Sequence, residues 1–65
     1  MKLLVTDYDG TLNFNGSVLE EDVEAIRNWQ EQGNLFVINT GRSRLSIFDE
    51  LKKHGIEPDY IVTTN

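Results

Sequence analysis

The sequence predicts an α/β fold with the element order β-α-β-α-β, in which two helices pack on a parallel three-stranded sheet. Three short apolar runs, each bounded by polar or turn-forming residues, have the length and composition of buried strands. The segments between them repeat apolar residues at three- and four-residue spacing, as amphipathic helices do. Because each helix joins two strands through short connections, the strands should run parallel with right-handed crossovers. The apolar runs are Leu3–Val5, Leu35–Ile38 and Tyr60–Thr63.

The first helix is expected from about Glu20 to Gln32. Acidic residues crowd its first turn, where they favour the helix dipole. Gly33 follows as a natural stop, and Asn15-Gly16 before the helix is a strong signal of a tight turn. The residues that recur at three- and four-residue spacing along this helix are Leu19, Val23, Ile26 and Trp29 or Gln30.

The second helix is expected from a cap at Ser43 to about His54, and Gly55 should end it. We expect Phe48 to pack in the core together with Trp29 of the first helix. His54, which has no second histidine or cysteine near it in sequence, is expected on the surface. The apolar face is expected to consist of Leu45, Ile47, Phe48 and Leu51.

Composition limits the classes of function that need to be considered. The 65 residues form at most one small domain and include no cysteine, which excludes disulfides and cysteine-bound zinc. Six basic residues are scattered among eleven acidic ones, so the basic face typical of a nucleic-acid binder is missing. Neither a signal-peptide core nor a run of transmembrane length is present, and we interpret the chain as cytoplasmic.

Polar clusters follow all three predicted strands at the point where each strand ends. In open parallel sheets, ligands bind beyond the carboxyl ends of the strands, so the clusters should converge on one site. A net charge of −5 repels phosphate esters at long range, and a phosphate site would need a local metal, amides or an arginine. The clusters are Thr6 to Thr11, Asn39 to Arg42 and Thr63 to Asn65.

Asp7 and Asp9 place two carboxylates at the end of the first strand. Residues i and i+2 of an extended chain share a face, so both carboxylates can point toward one ligand. Two close carboxylates repel, which favours either a bound cation or a raised pKa on one of them. Magnesium could neutralise one while the other, partly protonated, acts as a general acid. Gly10 allows a sharp turn, after which the amides can face an anion.

Three segments carry a resemblance to a known family. Asp7-Tyr8-Asp9-Gly10-Thr11-Leu12 resembles the first motif of the haloacid-dehalogenase superfamily, and Thr40-Gly41-Arg42 resembles its second motif in the form typical of the Cof-like branch. The ending Pro58 to Asn65 is similar to the same branch. The resemblance covers nearly the whole chain, and the fold it implies is a Rossmann-like half-core.

The resemblance also implies roles for individual residues. Asp7 would attack phosphorus, form an aspartyl phosphate and bind Mg²⁺. Asp9 would supply a backbone carbonyl to the metal and use its side chain as the acid and base. Thr40 would hold a phosphoryl oxygen. Residues implied in phosphate or substrate binding are Gly10, Thr11, Thr40, Gly41, Arg42 and Asn65, although Arg42 could equally be a solvated charge at a helix start.

Two further parts of the family's site, a later lysine and a late acidic cluster, are not found here. Lys52 and Lys53 lie on the second predicted helix, too early and on the wrong element. We therefore expect residues 1–65 to be the amino-terminal part of a hydrolase core, with the cap and the carboxy-terminal core absent, and we expect the isolated 65-residue chain to be incomplete or inactive as an enzyme. In that fold the first strand is central, so its open edge should favour pairing with the missing half or self-association.

The implied activity is magnesium-dependent hydrolysis of a small phosphorylated metabolite. Two alternatives stay open on the sequence. A phosphomutase or phosphotransferase would use the same aspartates, and only return of the phosphoryl group to substrate would distinguish it. A non-catalytic half-domain would act by pairing with another chain.

Overall fold

The predicted α/β fold is confirmed by the computed structural model, which describes residues 1–64. All three strands are parallel and lie in the order β1-β2-β3, so each helix crosses over from one strand to its neighbour. Asn65 lies outside the described residues, and its role stays a prediction. The elements are β1 Leu3–Asp7, α1 Glu20–Glu31, β2 Leu35–Thr40, α2 Arg44–His54 and β3 Tyr60–Thr63.

Local turn and cap chemistry follows the sequence signals. The Ser43 side chain accepts a hydrogen bond from the Ser46 amide at 3.2 Å and caps α2 as expected. Gly55 ends the helix in the left-handed conformation, with φ of 74°. Asn15 and Gly16 both have positive φ, which a type I′ turn requires, and the flanking residues are hydrogen-bonded to each other.

The core lies between the two helices and one face of the sheet. Phe36 and Ile38 of β2 are buried on this face, and Ile26 of α1 with Ile47 and Leu51 of α2 cover them. Both helices therefore lie on the same side of the sheet. Trp29 packs against this cluster, as expected, and its indole N–H donates to the Leu35 carbonyl at 2.8 Å.

The opposite face of the sheet is apolar and exposed. The strand register places Leu3, Val5, Tyr60 and Val62 on that face, and each is at least half exposed. The expectation that the first strand is buried is therefore wrong for the described residues. The reason is that β1 pairs only with β2, at the edge of the sheet, and no layer covers its outer face.

The orientation of α2 differs from the expected apolar face. Leu45 is 81% exposed and Phe48 is 49% exposed, whereas Ile47 and Leu51 are buried. Residues two positions apart are separated by about 200° around a helix axis. Because Ile47 faces the core, Leu45 faces outward. The seven-residue spacing from Ile47 to His54 returns to the same face, which leaves the His54 side chain only 17% exposed rather than on the surface.

Asp59 connects the start of β3 to both β2 and α1. Its carboxylate accepts the Phe36 amide at 2.7 Å and the Gln30 side-chain amide at 3.2 Å, and its own amide donates to the Phe36 carbonyl at 2.8 Å. The Phe36 amide, followed by Gln30, lowers the pKa of the Asp59 carboxyl.

Among the described residues, no helix is long and apolar enough to cross a bilayer.

Asp59→Asn should reduce stability at neutral pH and flatten its acid dependence. A carboxyl whose pKa is lower in the folded state stabilises the fold above its unfolded pKa of about 3.9. That contribution is lost as the pH falls through the folded value. Thermal unfolding followed by circular dichroism from about pH 7 to about pH 2 measures this change. The matched control is Asp49→Asn, at an exposed position of α2, which should keep the wild-type slope. If the stability of Asp59→Asn depends on pH as the wild type does, the ionised Asp59 carboxylate does not stabilise the fold.

Candidate active site

The carboxyl ends of the strands surround a cavity of about 280 Å³. The strand register produces this arrangement, because it pairs Asp7 with Asn39 and Thr40 with Thr63 at one edge of the sheet. The three polar clusters therefore meet, as expected from the parallel topology. The chemical roles of their residues stay predictions. The cavity is lined by Asp7, Tyr8, Asp9, Asn39, Thr40, Gly41 and Thr64.

The loop after β1 is closed by its own backbone. The Tyr8 carbonyl accepts the amides of Thr11, Leu12 and Asn13 at 2.9–3.3 Å, and the Gly10 amide donates to the Asn13 carbonyl at 2.8 Å. Gly10 has φ of 83°, which favours glycine. The amides that follow Gly10 are thus hydrogen-bonded to the Tyr8 carbonyl within the loop, and the expectation that they face an anion stays a prediction. The roles of Gly10 and Thr11 in phosphate binding stay predictions.

Asp9 forms a bidentate ion pair with Arg42. The guanidinium Nε lies 2.8 Å from Oδ2 and Nη2 lies 2.7 Å from Oδ1. These hydrogen bonds lower the pKa of the Asp9 carboxyl, although its side chain is 53% exposed. The sequence suggested that one carboxylate would be partly protonated by repulsion from the other. In this arrangement Arg42 keeps Asp9 ionised instead.

Arg42 makes three further contacts that fix its side chain and backbone. Its Nη1 donates to the Ser46 hydroxyl at 3.2 Å, and its guanidinium carbon lies 5.4 Å from the centre of the Tyr8 ring. Its backbone amide donates to the Thr40 hydroxyl at 3.1 Å. Arg42 is therefore held within the site by Asp9, Ser46 and Tyr8, and is not a freely solvated charge.

Thr40 is buried at the end of β2. Its carbonyl accepts the Thr64 amide at 3.0 Å, which ties the ends of β2 and β3 together. Its hydroxyl oxygen accepts a hydrogen bond from the Arg42 amide, so the hydroxyl proton is still available to donate to a ligand. A buried hydroxyl with a proton to give is suited to a phosphoryl oxygen.

Sequence reasoning missed a buried polar cluster beside the cavity. Tyr8 is fully buried and donates its hydroxyl to Glu50 Oε1 at 3.0 Å, and the side-chain amide of buried Asn13 donates to the same oxygen at 3.2 Å. Burial, followed by the Glu50 bond, raises the pKa of Tyr8 to about 12, so its hydroxyl remains a donor at neutral pH. The available signal was the four-residue spacing of Arg42, Ser46, Glu50 and His54.

The oxygen atoms around the cavity fit Mg²⁺ as a partial ligand set. Mg²⁺ prefers oxygen ligands and is usually bound by one or two carboxylates, with water and substrate completing its coordination. Asp7 supplies such a carboxylate at the cavity, whereas the side chain of Asp9 is engaged by Arg42. Within residues 1–64, no three His, Cys, Asp or Glu side chains gather into a metal-binding group.

Comparison with known protein families relates the chain to an enzyme family. A family model described as haloacid dehalogenase-like hydrolase matches residues 4–65. No curated protein and no solved structure gives a match. The matched range includes all residues that line the cavity.

Arg42→Gln should raise the pKa of Asp9 toward the ordinary aspartate value of about 3.9, because the neighbouring positive charge favours the ionised carboxyl. The measurement is a pH titration of the Asp9 carboxyl carbon by ¹³C NMR. Arg44→Gln removes an exposed charge two residues away and serves as the matched control, which should leave Asp9 unchanged. An Asp9 titration that is the same in Arg42→Gln and wild type is incompatible with this ion pair.

Proposed function

The chain belongs to the haloacid dehalogenase-like hydrolases, and from this membership we propose that it is a magnesium-dependent phosphatase for small phosphate monoesters. The reaction proceeds through an aspartyl phosphate on Asp7. The observation that supports this proposal is the meeting of Asp7, Asp9 and Thr40 at one cavity on the carboxyl edge of the sheet. The substrate class is a small phosphorylated metabolite.

Two displacements at phosphorus make up the reaction. A carboxylate oxygen of Asp7 attacks phosphorus while the ester P–O bond breaks, and the leaving alkoxide takes a proton from Asp9. Asp9, now a carboxylate, accepts a proton from water as the water oxygen attacks phosphorus. The bond between Asp7 and phosphorus breaks, which releases phosphate and restores both carboxyl groups.

Arg42 connects substrate arrival to the state of Asp9. While Arg42 is paired with it, Asp9 is held as a carboxylate and cannot donate a proton. A phosphate ester is a competing bidentate partner for the guanidinium. Substrate binding therefore draws Arg42 toward the phosphoryl oxygens, and the freed Asp9 carboxylate takes up a proton from solvent before it acts as the acid.

The overall negative charge of the chain makes local phosphate ligands essential. The Thr40 hydroxyl donates a hydrogen bond, and the Arg42 guanidinium supplies positive charge beside the cavity. Two groups would hold Mg²⁺: the second carboxylate oxygen of Asp7 and the backbone carbonyl of Asp9. When bound, Mg²⁺ supplies charge neutralisation between the phosphate and the carboxylates.

Hydrolysis of p-nitrophenyl phosphate by this chain, with Mg²⁺ or with EDTA, tests the proposal. We expect magnesium-dependent release of nitrophenol, by the chain alone or after addition of the carboxy-terminal part of the core, that is abolished in Asp7→Asn, because the amide is not a nucleophile. Asp9→Asn should lower kcat by about 10²–10⁴, the contribution of a positioned acid and base. Asp49→Asn, with an exposed carboxylate on α2, is the matched control and should retain activity. Hydrolysis that survives Asp7→Asn contradicts the assigned nucleophile.

A second candidate function is favoured by the exposed sheet face. Leu3 and Val5 of β1 and Tyr60 and Val62 of β3 are exposed on one face of the sheet, and both outer strands have an unpaired edge, which is a template for association. The candidate is a half-domain that pairs with another chain. If wild-type protein associates but does not hydrolyse p-nitrophenyl phosphate, this candidate replaces the first.

Sedimentation velocity over a range of concentrations measures the association. We expect the wild-type chain to self-associate and Val62→Lys to weaken that association, because a charge on the apolar face opposes its burial. Leu45→Lys introduces the same charge at a more exposed apolar position on α2 and should associate like wild type. A wild-type chain that stays monomeric at all concentrations eliminates self-association through this face.

A further inference from the structure

Four polar residues recur at four-residue intervals along α2 and just before it. Residues four apart lie on one face of a helix, so this spacing forms a single polar stripe. Three of its members contact the loop that follows β1 or the side chain that binds this loop. The stripe consists of Arg42, Ser46, Glu50 and His54.

Glu50 binds both ends of that loop through one oxygen atom. Its Oε1 accepts the Tyr8 hydroxyl at 3.0 Å and the Asn13 side-chain amide at 3.2 Å. Tyr8 and Asn13 are both buried, so their polar groups would lose these partners at a desolvation cost if Glu50 were truncated. His54 Nε2 lies 3.8 Å from the same oxygen.

The position of Tyr8 affects the position of Asp9 in two ways. Its carbonyl accepts three amides of the loop, so its position sets the backbone on which Asp9 lies. Its ring lies beneath the Arg42 guanidinium, which makes both hydrogen bonds to the Asp9 carboxylate. A shift of Tyr8 would therefore move both partners of the ion pair.

We propose that Glu50 is a positioning residue for Asp9, because it anchors Tyr8 and Asn13 and thereby fixes the loop and the Arg42 guanidinium that orients the Asp9 carboxylate. The geometric part of this proposal concerns the ion pair alone. Its consequence for catalysis rests on the proposed function, in which Asp9 is the acid and base.

The first readout is the Nε–H resonance of Arg42 in ¹⁵N NMR spectra, which reports the bond to Asp9 without any need for turnover. In wild type this proton should be shifted and protected from exchange compared with that of exposed Arg44. Glu50→Ala should move it toward the Arg44 value. Glu50→Gln should retain it, because the amide oxygen still accepts both hydrogen bonds.

The second readout is the steady-state kinetics of p-nitrophenyl phosphate hydrolysis. Glu50→Ala should lower kcat by about tenfold to a hundredfold with little change in KM, since a small misplacement of a catalytic group has costs of this order. Glu50→Gln should restore most of the loss. Asp49→Ala removes an adjacent, exposed carboxylate and is the matched control, with wild-type behaviour expected in both readouts.

A folded Glu50→Ala protein with lower thermal stability but an unchanged Arg42 resonance would show a purely structural role and overturn the proposal. If Glu50→Ala does not fold, Tyr8→Phe decides in its place, because it removes the hydroxyl donor and keeps the ring. An unchanged Arg42 resonance in Tyr8→Phe also overturns the proposal. Failure of the wild-type chain to hydrolyse the ester would count against the proposed function, whereas the NMR result would still decide the role of Glu50.

Discussion

The parallel register of three short strands is the constraint on which the rest of this structure depends. It aligns Asp7 with Asn39 and Thr40 with Thr63, so every polar strand end falls on one edge of the sheet. A shift of one residue in β1 would turn the Asp7 side chain to the opposite face, because side chains alternate along a strand. Tyr8, which directly follows β1, is fully buried in the core cluster, and such a shift would turn it away from the core. The position of Asp7, the proposed nucleophile, therefore depends on core packing.

Side chains on and just before α2 hold the loop after β1 in place, which the strands alone do not do. Arg42 and Ser46 act on Asp9 at one end of the loop, and Glu50 holds Tyr8 and Asn13 below it. The loop is polar, sharply turned and placed beside a cavity, and loops of this kind need tertiary contacts to hold one conformation. A rigid helix that contacts the loop at several points meets that need. The ion pair with Arg42 also balances the negative charge of the ionised Asp9 carboxylate, which links the geometry of the site to its charge.

Local signals in the sequence were sufficient to predict the elements and the meeting of the three polar strand ends at one edge of the sheet. The cap at Ser43, the turn at Asn15-Gly16 and the stop at Gly55 are backbone requirements that a few residues determine, and each was confirmed. Burial was predicted less well, because it depends on which layers are present. Leu3 and Val5 have the composition of a buried strand, but no layer covers them among the described residues. The Asp9–Arg42 ion pair and the Tyr8–Glu50 bond join residues 33 and 42 positions apart. The four-residue spacing of Arg42 and Glu50 indicates a shared helix face, but it does not identify their partners in the loop.

The central claim is that Asp7, at the end of β1, is the group that becomes phosphorylated. Fluoroberyllate, a mimic of a phosphoryl group on a carboxylate, tests this without turnover when it is added with Mg²⁺ and followed by ¹⁹F NMR. The account predicts a bound resonance in the wild-type chain that persists in Asp9→Asn and disappears in Asp7→Asn. A bound resonance that survives Asp7→Asn, or one that depends on Asp9 alone, would contradict it.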